Sequence, residues 1–231
     1  NSVGVLVVSG PKARDLMKRV SKDDFSNDNF KWLSAKDINV GNAPVNAMRV
    51  NFVGELGWEL HHPIEMQNYL FDTLLESGKK YNLKLVGARA QNWLRQEKSY
   101  KAFGTELGRD ASPLESGLDR FVDMNKNFLG KDVLQTRSIR SKCVTILLDG
   151  PDDTDPWGRE AIYAGNDKVG RLTSGGYSVH FKCSIGMGYV IPKYANPGQK
   201  IQVKMLNKLW DGRIVEDSPY DPKNEKIRKD G

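Results

Sequence analysis

The sequence predicts an α+β protein in two parts, a region of mixed helices and strands followed by a small all-β barrel or sandwich. In the first part, apolar residues at helical spacing alternate with strand-like runs. From about residue 140, short strand-like runs are separated by turns rich in Pro, Gly and Asp. The composition, 39% hydrophobic and 28% charged, is that of an ordinary globular protein. We therefore divide the chain into residues 1–138 and residues 139–231.

The first region begins with a strand and a helix. Val3 to Val8 is an apolar run ended by Ser9-Gly10-Pro11, which predicts a buried strand. Proline is tolerated in a first helical turn, and helical spacing follows at Ala13, Leu16, Met17 and Val20. Because the chain enters a core strand almost at once, we expect it to be a fragment or a processed product of a longer protein.

A hairpin and a second helix are predicted next. Val45 to Val53 alternates in polarity, Gly54 to Gly57 is a tight turn, and Trp58 to His61 leaves as a strand. This pattern indicates a β-hairpin with a four-residue, glycine-flanked loop. Pro63 then opens a helix, which Gly78 is predicted to end as a left-handed cap.

A third helix is predicted over residues 87–100. One of its faces carries Arg89, Trp93, Glu97 and Tyr100 at helical spacing. A polar and aromatic stripe of this kind is typical of a solvated face with one Arg–Glu pair. Part of a ligand site is the alternative.

The second region contains short predicted strands. They are Val144 to Leu148, Glu160 to Tyr163, Lys168 to Gly176, Ser184 to Val190 and Ile201 to Leu206. Their length and spacing favour a barrel or sandwich over a helical domain.

The charge balance is basic, with a net charge of +6 and an isoelectric point near 9.2. The densest clusters are Arg137 to Lys142 and Lys223 to Lys229, and no RNA-binding signature accompanies them. A solvated surface is the simplest interpretation, and an electropositive funnel for an anionic cofactor tail is the alternative. We expect no nucleic-acid partner. No apolar run is long enough to cross a bilayer, so we expect no membrane association.

No metal site is predicted. Cys143 and Cys183 lack the C-x-x-C spacing of zinc ligands and are interpreted as small apolar fillers. His61 and His62 are adjacent, so on a strand they point to opposite faces and cannot jointly bind one ion. Phosphate-loop and dinucleotide fingerprints are also missing from the sequence.

A set of sequence blocks resembles a known family. The hairpin Asn51-Phe-Val-Gly-Glu-Leu-Gly-Trp-Glu-Leu60 is similar to the folate-site hairpin of the glycine-cleavage T-protein (aminomethyltransferase) superfamily. Further blocks follow in the family's order, namely Gly87 to Glu97, Gly104 to Asp110, Pro113 to Leu118, Phe128 to Lys131, Val169 to Gly176, Ser184 to Val190, and Pro197-Gly198. The resemblance covers essentially the whole chain. It implies the aminomethyltransferase-like folate-binding fold with its first lobe truncated, followed by a small C-terminal β-barrel.

Within the superfamily, Gly54-Glu-Leu-Gly-Trp-Glu-Leu60 looks like the dimethylglycine and sarcosine dehydrogenase branch. This resemblance implies capture of a carbon from an N-methyl amine as 5,10-methylene-tetrahydrofolate. It also implies an upstream flavin domain that carries FAD and is absent from this chain. Two alternatives stay open. One is a free-standing aminomethyltransferase or methyltransferase, and the other is a non-catalytic folate-binding regulatory subunit.

The resemblance assigns tetrahydrofolate-binding roles to particular residues. Glu59 matches the carboxylate that hydrogen-bonds the pterin, a role that suits a group able to accept two donors at once. Phe52 stands where many members have Tyr, and its ring can still line the pocket. Arg89, in Gly87-Ala-Arg89, matches the arginine at the start of the family's helix. Glu97 is expected to pair with a basic group, and Tyr100 to form a wall of the pocket.

Arg120 departs from the family, which commonly has Tyr or Trp at this position. Its guanidinium can stack on a ring or reach glutamyl carboxylates, or it can mark weakened folate binding. Both interpretations stay open. The family's catalytic aspartate lies upstream of Val3, so the catalytic residue is unknown in this chain. The resemblance is compatible with the bacterial cytoplasm or the mitochondrial matrix.

Overall fold

The computed structural model describes residues 2–150 and 154–229, which form two compact units. Within these ranges, the first unit comprises residues 2–91 with 221–229, and the second comprises residues 92–150 with 154–220. The predicted boundary at residues 138/139 falls inside the second unit, because the segment before it packs with the strands that follow. For example, the Cys143 N–H donates to the Glu115 carbonyl at 2.8 Å. As a division between sequence regions, this boundary stays a prediction.

The first unit is an antiparallel four-stranded sheet with helices on one face. Its strands are β1 (Val3–Ser9), β2 (Ala35–Val40), β3 (Ala43–Met48) and β4 (Gly57–Pro63), in the order β1-β4-β3-β2. Helices α1 (Ala13–Val20) and α2 (Gln67–Gly78) share one apolar core with the sheet, and 3₁₀ turns follow β4 and α2 at Ile64–Met66 and Lys79–Tyr81.

The prediction that β1 is a strand is confirmed, but the prediction that it is buried is wrong. Val3, Val5 and Val7 are 55%, 45% and 50% exposed. The reason is that β1 is an edge strand of the described sheet, and only its other face meets the helices. Strand β2 was not predicted from the sequence.

The hairpin of β3 and β4 is confirmed, with a longer loop than predicted. The strands pair through Met48 and Glu59, and residues 49–56 form the loop. The side chain of Asn51 ends the strand early, because its Oδ1 accepts from the N–H groups of Gly54 (2.8 Å) and Val53 (3.0 Å). Gly57 is needed for close strand approach, since a Cβ there would lie 2.5 Å from the Val8 carbonyl oxygen.

The predicted left-handed cap at Gly78 is wrong. Gly78 has a right-handed backbone with φ of −75°, and the left-handed residue that follows α2 is Asn82. Glycine is instead required at this position by packing, because an added Cβ would lie 2.5 Å from the Leu83 side chain.

The core of the first unit is centred on Trp58, which is fully buried. Phe25 meets its ring edge-on at 5.3 Å between centroids. The guanidinium groups of Arg14 and Arg49 each lie 5.9 Å from the indole ring, in cation–π contact. Trp58 is therefore held by aromatic and cationic neighbours together.

The same two arginines hold the C-terminal segment in the first unit. Arg14 donates to the carbonyls of Phe25 (2.7 Å) and Lys229 (2.6 Å). Arg49 donates to the carbonyls of Phe30 (2.6 Å) and Ile227 (3.3 Å). These bonds supply the polar partners that two buried guanidiniums require.

The second unit contains a closed six-stranded barrel, as predicted in kind from the sequence. Its strands are β5 (Lys142–Leu148), β6 (Ala161–Ala164), β7 (Asp167–Ser178), β8 (Cys183–Val190), β9 (Lys200–Met205) and β10 (Lys208–Val215), in the order β10-β5-β8-β7-β6-β9. Strand β10 was not predicted from the sequence. Gly212 is needed in this strand, since a Cβ there would lie 2.8 Å from the Leu147 carbonyl oxygen of β5.

The described part of the second unit has two α-helices, one of which begins in the first unit, and 3₁₀ turns at Asp119–Phe121 and Pro192–Tyr194. Helix α3 (Ala88–Glu97) confirms the third predicted helix and ends earlier than predicted, and α4 (Lys131–Thr136) precedes β5. No helix within residues 2–150 and 154–229 is both long and apolar enough to span a lipid bilayer.

A buried ion pair joins α3 to the barrel. Arg95 and Glu106 are 2% and 0% exposed, and their charged atoms lie 2.9 Å apart. Arg95 also donates to Ser174 Oγ at 2.6 Å, and Ser174 donates to Glu106 at 2.5 Å. Burial alone would raise the pKa of Glu106. The charge of Arg95 and the hydrogen bonds from Ser174 and its neighbours outweigh burial and hold that pKa below its usual value.

A second buried carboxylate, Glu115, organises the segment before β5. It accepts from the N–H and hydroxyl of Ser112, both at 2.9 Å, and from the Arg140 N–H at 3.0 Å. Arg137 lies 3.4 Å away. Burial opposes its charge, but these donors and the positive charge of Arg137 lower the pKa of Glu115 from 4.5 to about 2.

Glu115→Gln is expected to destabilise the protein by about 1–3 kcal/mol at neutral pH, because it removes a charged acceptor from buried donors. A carboxyl group whose pKa is lower in the folded state stabilises the fold when the pH is above its pKa in the unfolded state. This contribution is lost as the pH falls through its pKa in the folded state. The difference between the variant and the parent should therefore shrink between pH 4.5 and about 2. Urea unfolding across this range measures it, and a difference independent of pH would contradict the assignment.

Candidate functional site

The open face of the first sheet is the candidate site. Directly opposed residues of antiparallel strands share a face. The helix-free face therefore carries alternate residues of all four strands. They are Val3, Val5 and Val7 of β1, Glu59, His61 and Pro63 of β4, Pro44, Asn46 and Met48 of β3, and Ala35, Asp37 and Asn39 of β2.

Polar side chains form a cluster at the middle of this face. Val5, His61, Asn46 and Asp37 make one cross-strand row. Within it, Asn46 Nδ2 donates to Asp37 Oδ1 at 2.7 Å. A cavity of about 520 Å³ lies over the same face, lined by Val3, Asp37, Asn46, His61 and Pro63 among others. The face thus combines hydrogen-bonding groups with an apolar border, as small-molecule sites do.

Glu59 is the carboxylate beside this cavity, which is lined by its neighbour His61 and not by Glu59 itself. Its Oε2 lies 3.2 Å from His61 Nε2, and the two side chains are 30% and 31% exposed. Glu59 Oε1 has no hydrogen-bond donor among the described residues. Glu59 and His61 are two residues apart in β4, so their side chains project from the same face of the sheet. The imidazole holds the carboxylate in one orientation. The arrangement leaves one oxygen directed by a neighbour and the other open to a ligand.

His62 takes the opposite face of β4 and is buried. Its Nδ1 lies 2.8 Å from the Leu60 carbonyl, and its Nε2 lies 2.8 Å from Gln67 Oε1. His61 and His62 therefore do not share one environment. Within the described ranges, no three His, Cys, Asp or Glu side chains are grouped as metal ligands would be.

Two other predicted site residues belong to the first unit. Phe52 lies in the hairpin loop and is partly buried. Arg89 lies in the first turn of α3 and is exposed. Their roles in folate binding stay predictions.

The remaining predicted residues belong to the second unit. The Tyr100 carbonyl accepts from Arg95 at 2.8 Å, and the side chain is partly buried. Arg120 is exposed, and its guanidinium lies 4.8 Å from the Phe121 ring centroid. It does stack on a ring, but on one from its own 3₁₀ turn. Glu97 was expected to pair with a basic group. In the structure it accepts hydrogen bonds from the Ser178 hydroxyl at 2.5 Å and from the His180 backbone N–H at 3.2 Å instead.

Comparison with protein-family models decides the family. The GCVT N-terminal domain model matches residues 1–126, and the glycine cleavage T-protein C-terminal barrel domain model matches residues 142–221. The chain belongs to the glycine cleavage T-protein family. This is a folate-binding family that includes folate-dependent aminomethyltransferases.

Relatives in the T-protein family include dehydrogenases and transferases. The chain is 36% identical to human mitochondrial dimethylglycine dehydrogenase, with 100% of this chain and 27% of that protein covered. It is 33% identical to an aminomethyltransferase of Caldanaerobacter subterraneus subsp. tengcongensis, with 95% and 59% covered. It is 31% identical to a formaldehyde-forming 4-methylaminobutanoate oxidase of Paenarthrobacter nicotinovorans, with 98% and 28% covered. The chain thus spans about a quarter of the oxidising relatives and about 60% of the transferase.

The T-protein fold is also found among solved structures. The aminomethyltransferase T of the glycine cleavage system from Bartonella henselae aligns with a TM-score of 0.82 at 19% identity, covering 95% of this chain and 60% of that one. At this identity the likeness concerns the fold. It confirms the predicted mixed helix-and-sheet fold with a C-terminal barrel.

The structure adds residues that sequence analysis did not single out. On the candidate face they are Asn46 and Asp37, whose cross-strand row with His61 depends on the unpredicted strand β2. His61 was considered only as a metal ligand. In the second unit the missed residue is Arg95, which lies inside the matched block Gly87 to Glu97. Its partner Glu106 lies in a second matched block and Ser174 in a third. The presence of all three residues in matched blocks was the sequence signal that could have identified this cluster.

Proposed function

We propose that this chain is the tetrahydrofolate-binding part of an enzyme that captures a one-carbon unit from an N-methyl glycine derivative, dimethylglycine or sarcosine. The single observation that carries the proposal is the Glu59 carboxylate, which is oriented by His61 and lies on the helix-free sheet face beside the cavity that His61 lines. The 36% identity to human dimethylglycine dehydrogenase supports this substrate class.

The acceptor and the apolar side chains of the candidate face fit a reduced pterin. A pterin presents an amino group and ring N–H groups along one edge, which a carboxylate can accept in pairs. Glu59 offers such an acceptor, and Val7 and Met48 lie on either side of it in the sheet. A flat, partly apolar heterocycle is matched by this combination of one charged acceptor and apolar neighbours.

In the proposed reaction, residues of the chain bind, orient and exclude water. Glu59 would accept hydrogen bonds from the pterin edge, and His61 would keep the carboxylate in one rotamer. The valines of β1 would cover the apolar part of the ring and reduce access of water, which otherwise diverts a reactive one-carbon unit to formaldehyde. Bound tetrahydrofolate would supply two nitrogens that take up the carbon. The bond from that carbon to the amine nitrogen breaks, so the products would be 5,10-methylene-tetrahydrofolate and the protonated, demethylated amine.

We propose that a flavin domain outside this chain carries out the oxidation that generates the one-carbon unit. The human relative, of which this chain covers 27%, is named a dehydrogenase, which supports this assignment. The human relative is named mitochondrial, so we propose the mitochondrial matrix or, for a bacterial protein, the cytoplasm. Transfer without oxidation is the second candidate, supported by the 33% identity to a bacterial aminomethyltransferase.

The proposal is tested by calorimetric titration of tetrahydrofolate into this chain and into Glu59→Gln. We expect saturable binding that the substitution weakens by about 1–3 kcal/mol, because a charged acceptor is removed from its donors. Glu76→Gln is the matched control, since Glu76 is an exposed carboxylate of the same unit whose described partner is Lys79. Circular dichroism checks that each variant is folded.

Two outcomes would contradict the proposal. One is equal affinity of the parent and Glu59→Gln, which would remove Glu59 from the site. The other is a folded parent chain with no saturable binding, which would mean that the candidate face is not itself a folate pocket. His61→Gln should give a smaller loss than Glu59→Gln, because it removes only the orienting partner.

A further inference from the structure

The second unit brings arginines from separate segments to one surface cavity. They are Arg109 of the segment between α3 and α4, Arg137 and Arg140 of the segment between α4 and β5, and Arg171 of β7. The cavity has a volume of about 770 Å³, and its other lining residues are Asp110 and Ser138. We refer to the cavity lined by these six residues as the arginine cavity.

Two of the arginines are held in place by the surrounding chain. Arg137 and Arg140 each donate through Nη2 to the Asp110 carbonyl at 3.3 Å. Arg137 Nη2 also lies 3.4 Å from one Glu115 oxygen. The Arg140 backbone N–H donates to the other oxygen at 3.0 Å, and Arg140 Nε lies 3.9 Å from it. Because Glu115 is 1% exposed, it acts as a fixed anchor beneath the cavity. Less side-chain entropy is lost on binding when guanidiniums are already positioned.

The other two arginines have unused binding capacity. In residues 2–150 and 154–229, neither the Arg109 nor the Arg171 guanidinium has a hydrogen-bond acceptor or an ion-pair partner, and both side chains are exposed. Each guanidinium carries five N–H donors in a planar fork that matches a carboxylate or a phosphate. The cavity therefore contains donors whose chemistry calls for an anionic acceptor.

The charges at the cavity do not balance. Four arginines face the two carboxylates of Asp110 and Glu115, which leaves an excess of two positive charges. An excess of this kind in a concave surface attracts anions and favours those that carry more than one charge. This excess of positive charge is confined to the cavity. It includes two arginines of the Arg137 to Lys142 cluster, which composition alone interprets as solvated surface.

We propose that the arginine cavity is a binding site for a small multivalent anion, one that carries at least two carboxylate or phosphate groups. Arg137 and Arg140 form its preset half, and Arg109 and Arg171 close on the ligand from the other segments. The site is separate in chemistry from the candidate folate face, whose central group is a carboxylate that accepts hydrogen bonds. It does not depend on the proposed function.

The experiment is calorimetric titration of the whole chain at low ionic strength with two probes, inorganic pyrophosphate and tricarballylate. We expect saturable binding of one ligand per chain by at least one probe. Arg109→Gln/Arg171→Gln should weaken that binding about tenfold or more, since each lost charged hydrogen bond accounts for roughly that factor. Neither substituted side chain has a described partner, so the fold should be retained.

Lys204→Gln is the matched control, because Lys204 is an exposed cation of the same unit that does not line the cavity. Binding of pyrophosphate alone identifies a phosphate site, binding of tricarballylate alone a carboxylate site, and binding of both a site for either group. No saturable binding of either probe would overturn the proposal. So would an equal loss in Lys204→Gln and in the double variant, which would indicate general charge attraction.

Discussion

Arg95→Met is expected to be among the most damaging single substitutions in the second unit, with a loss of about 3–5 kcal/mol of unfolding free energy. The reason is the environment of Glu106, which is 0% exposed and would keep a buried charge without its guanidinium partner. Arg95 also supplies the donors to Ser174 Oγ at 2.6 Å and to the Tyr100 carbonyl at 2.8 Å. Methionine fills much of the volume but satisfies none of these acceptors.

Urea unfolding followed by circular dichroism measures the effect of Arg95→Met. Arg171→Met is the matched control, because Arg171 is exposed and its replacement should change stability by less than about 0.5 kcal/mol. Adding Glu106→Gln should restore part of the loss, since it removes the stranded charge. An Arg95→Met protein as stable as the parent, or a double variant with strictly additive losses, would show that the pair is not coupled.

Trp58→Ala is expected to destabilise the first unit by about 3–5 kcal/mol, the usual cost of truncating a buried aromatic. Trp58 is 0% exposed and is contacted by Phe25, Phe30 and the guanidiniums of Arg14 and Arg49. Since Trp58 precedes Glu59 in β4, loss of its packing should also loosen the candidate folate site.

Chemical unfolding and tetrahydrofolate titration together test the role of Trp58. Trp58→Phe should cost less than Trp58→Ala, because it keeps a ring and removes an indole N–H that is buried without an acceptor in the described part of the chain. Trp157→Ala serves as the control, since that side chain is 78% exposed. Unchanged stability in Trp58→Ala would contradict the view that this ring organises the core.

Much of the fold could be predicted from local patterns. The helix beginning after Pro11 and the barrel strands up to β9 followed from periodicity and turn residues. The errors arose where side chains act on the backbone. The alternating pattern predicts a strand that continues past Asn51, but the Asn51 side chain ends it. Glycine is needed at position 78 because Leu83 packs closely against it, and not because the backbone is left-handed there. The burial of β1 was overestimated because an apolar run does not show which strands pair on each side.

The candidate site could be predicted only in part. Glu59 followed from a motif that resembles the T-protein hairpin, but its partner His61 did not. The reason is that shared-face neighbours are defined by strand pairing, which sequence spacing alone specifies weakly. Arg95 was missed for a similar reason. Its importance comes from Glu106 and Ser174, which lie well downstream in the chain and meet it only in the fold.

The contacts of Arg14 and Arg49 with Lys229 and Ile227 have a consequence for how the protein is made. The first unit includes residues from both sides of the second, so its two segments emerge from the ribosome at different times. Domains generally fold as units during synthesis, and each buried guanidinium of this unit lacks one of its carbonyl acceptors, that of Lys229 or Ile227, until the C-terminal segment is available. We therefore expect the unit that begins first to be completed last, after the barrel segment has been synthesised.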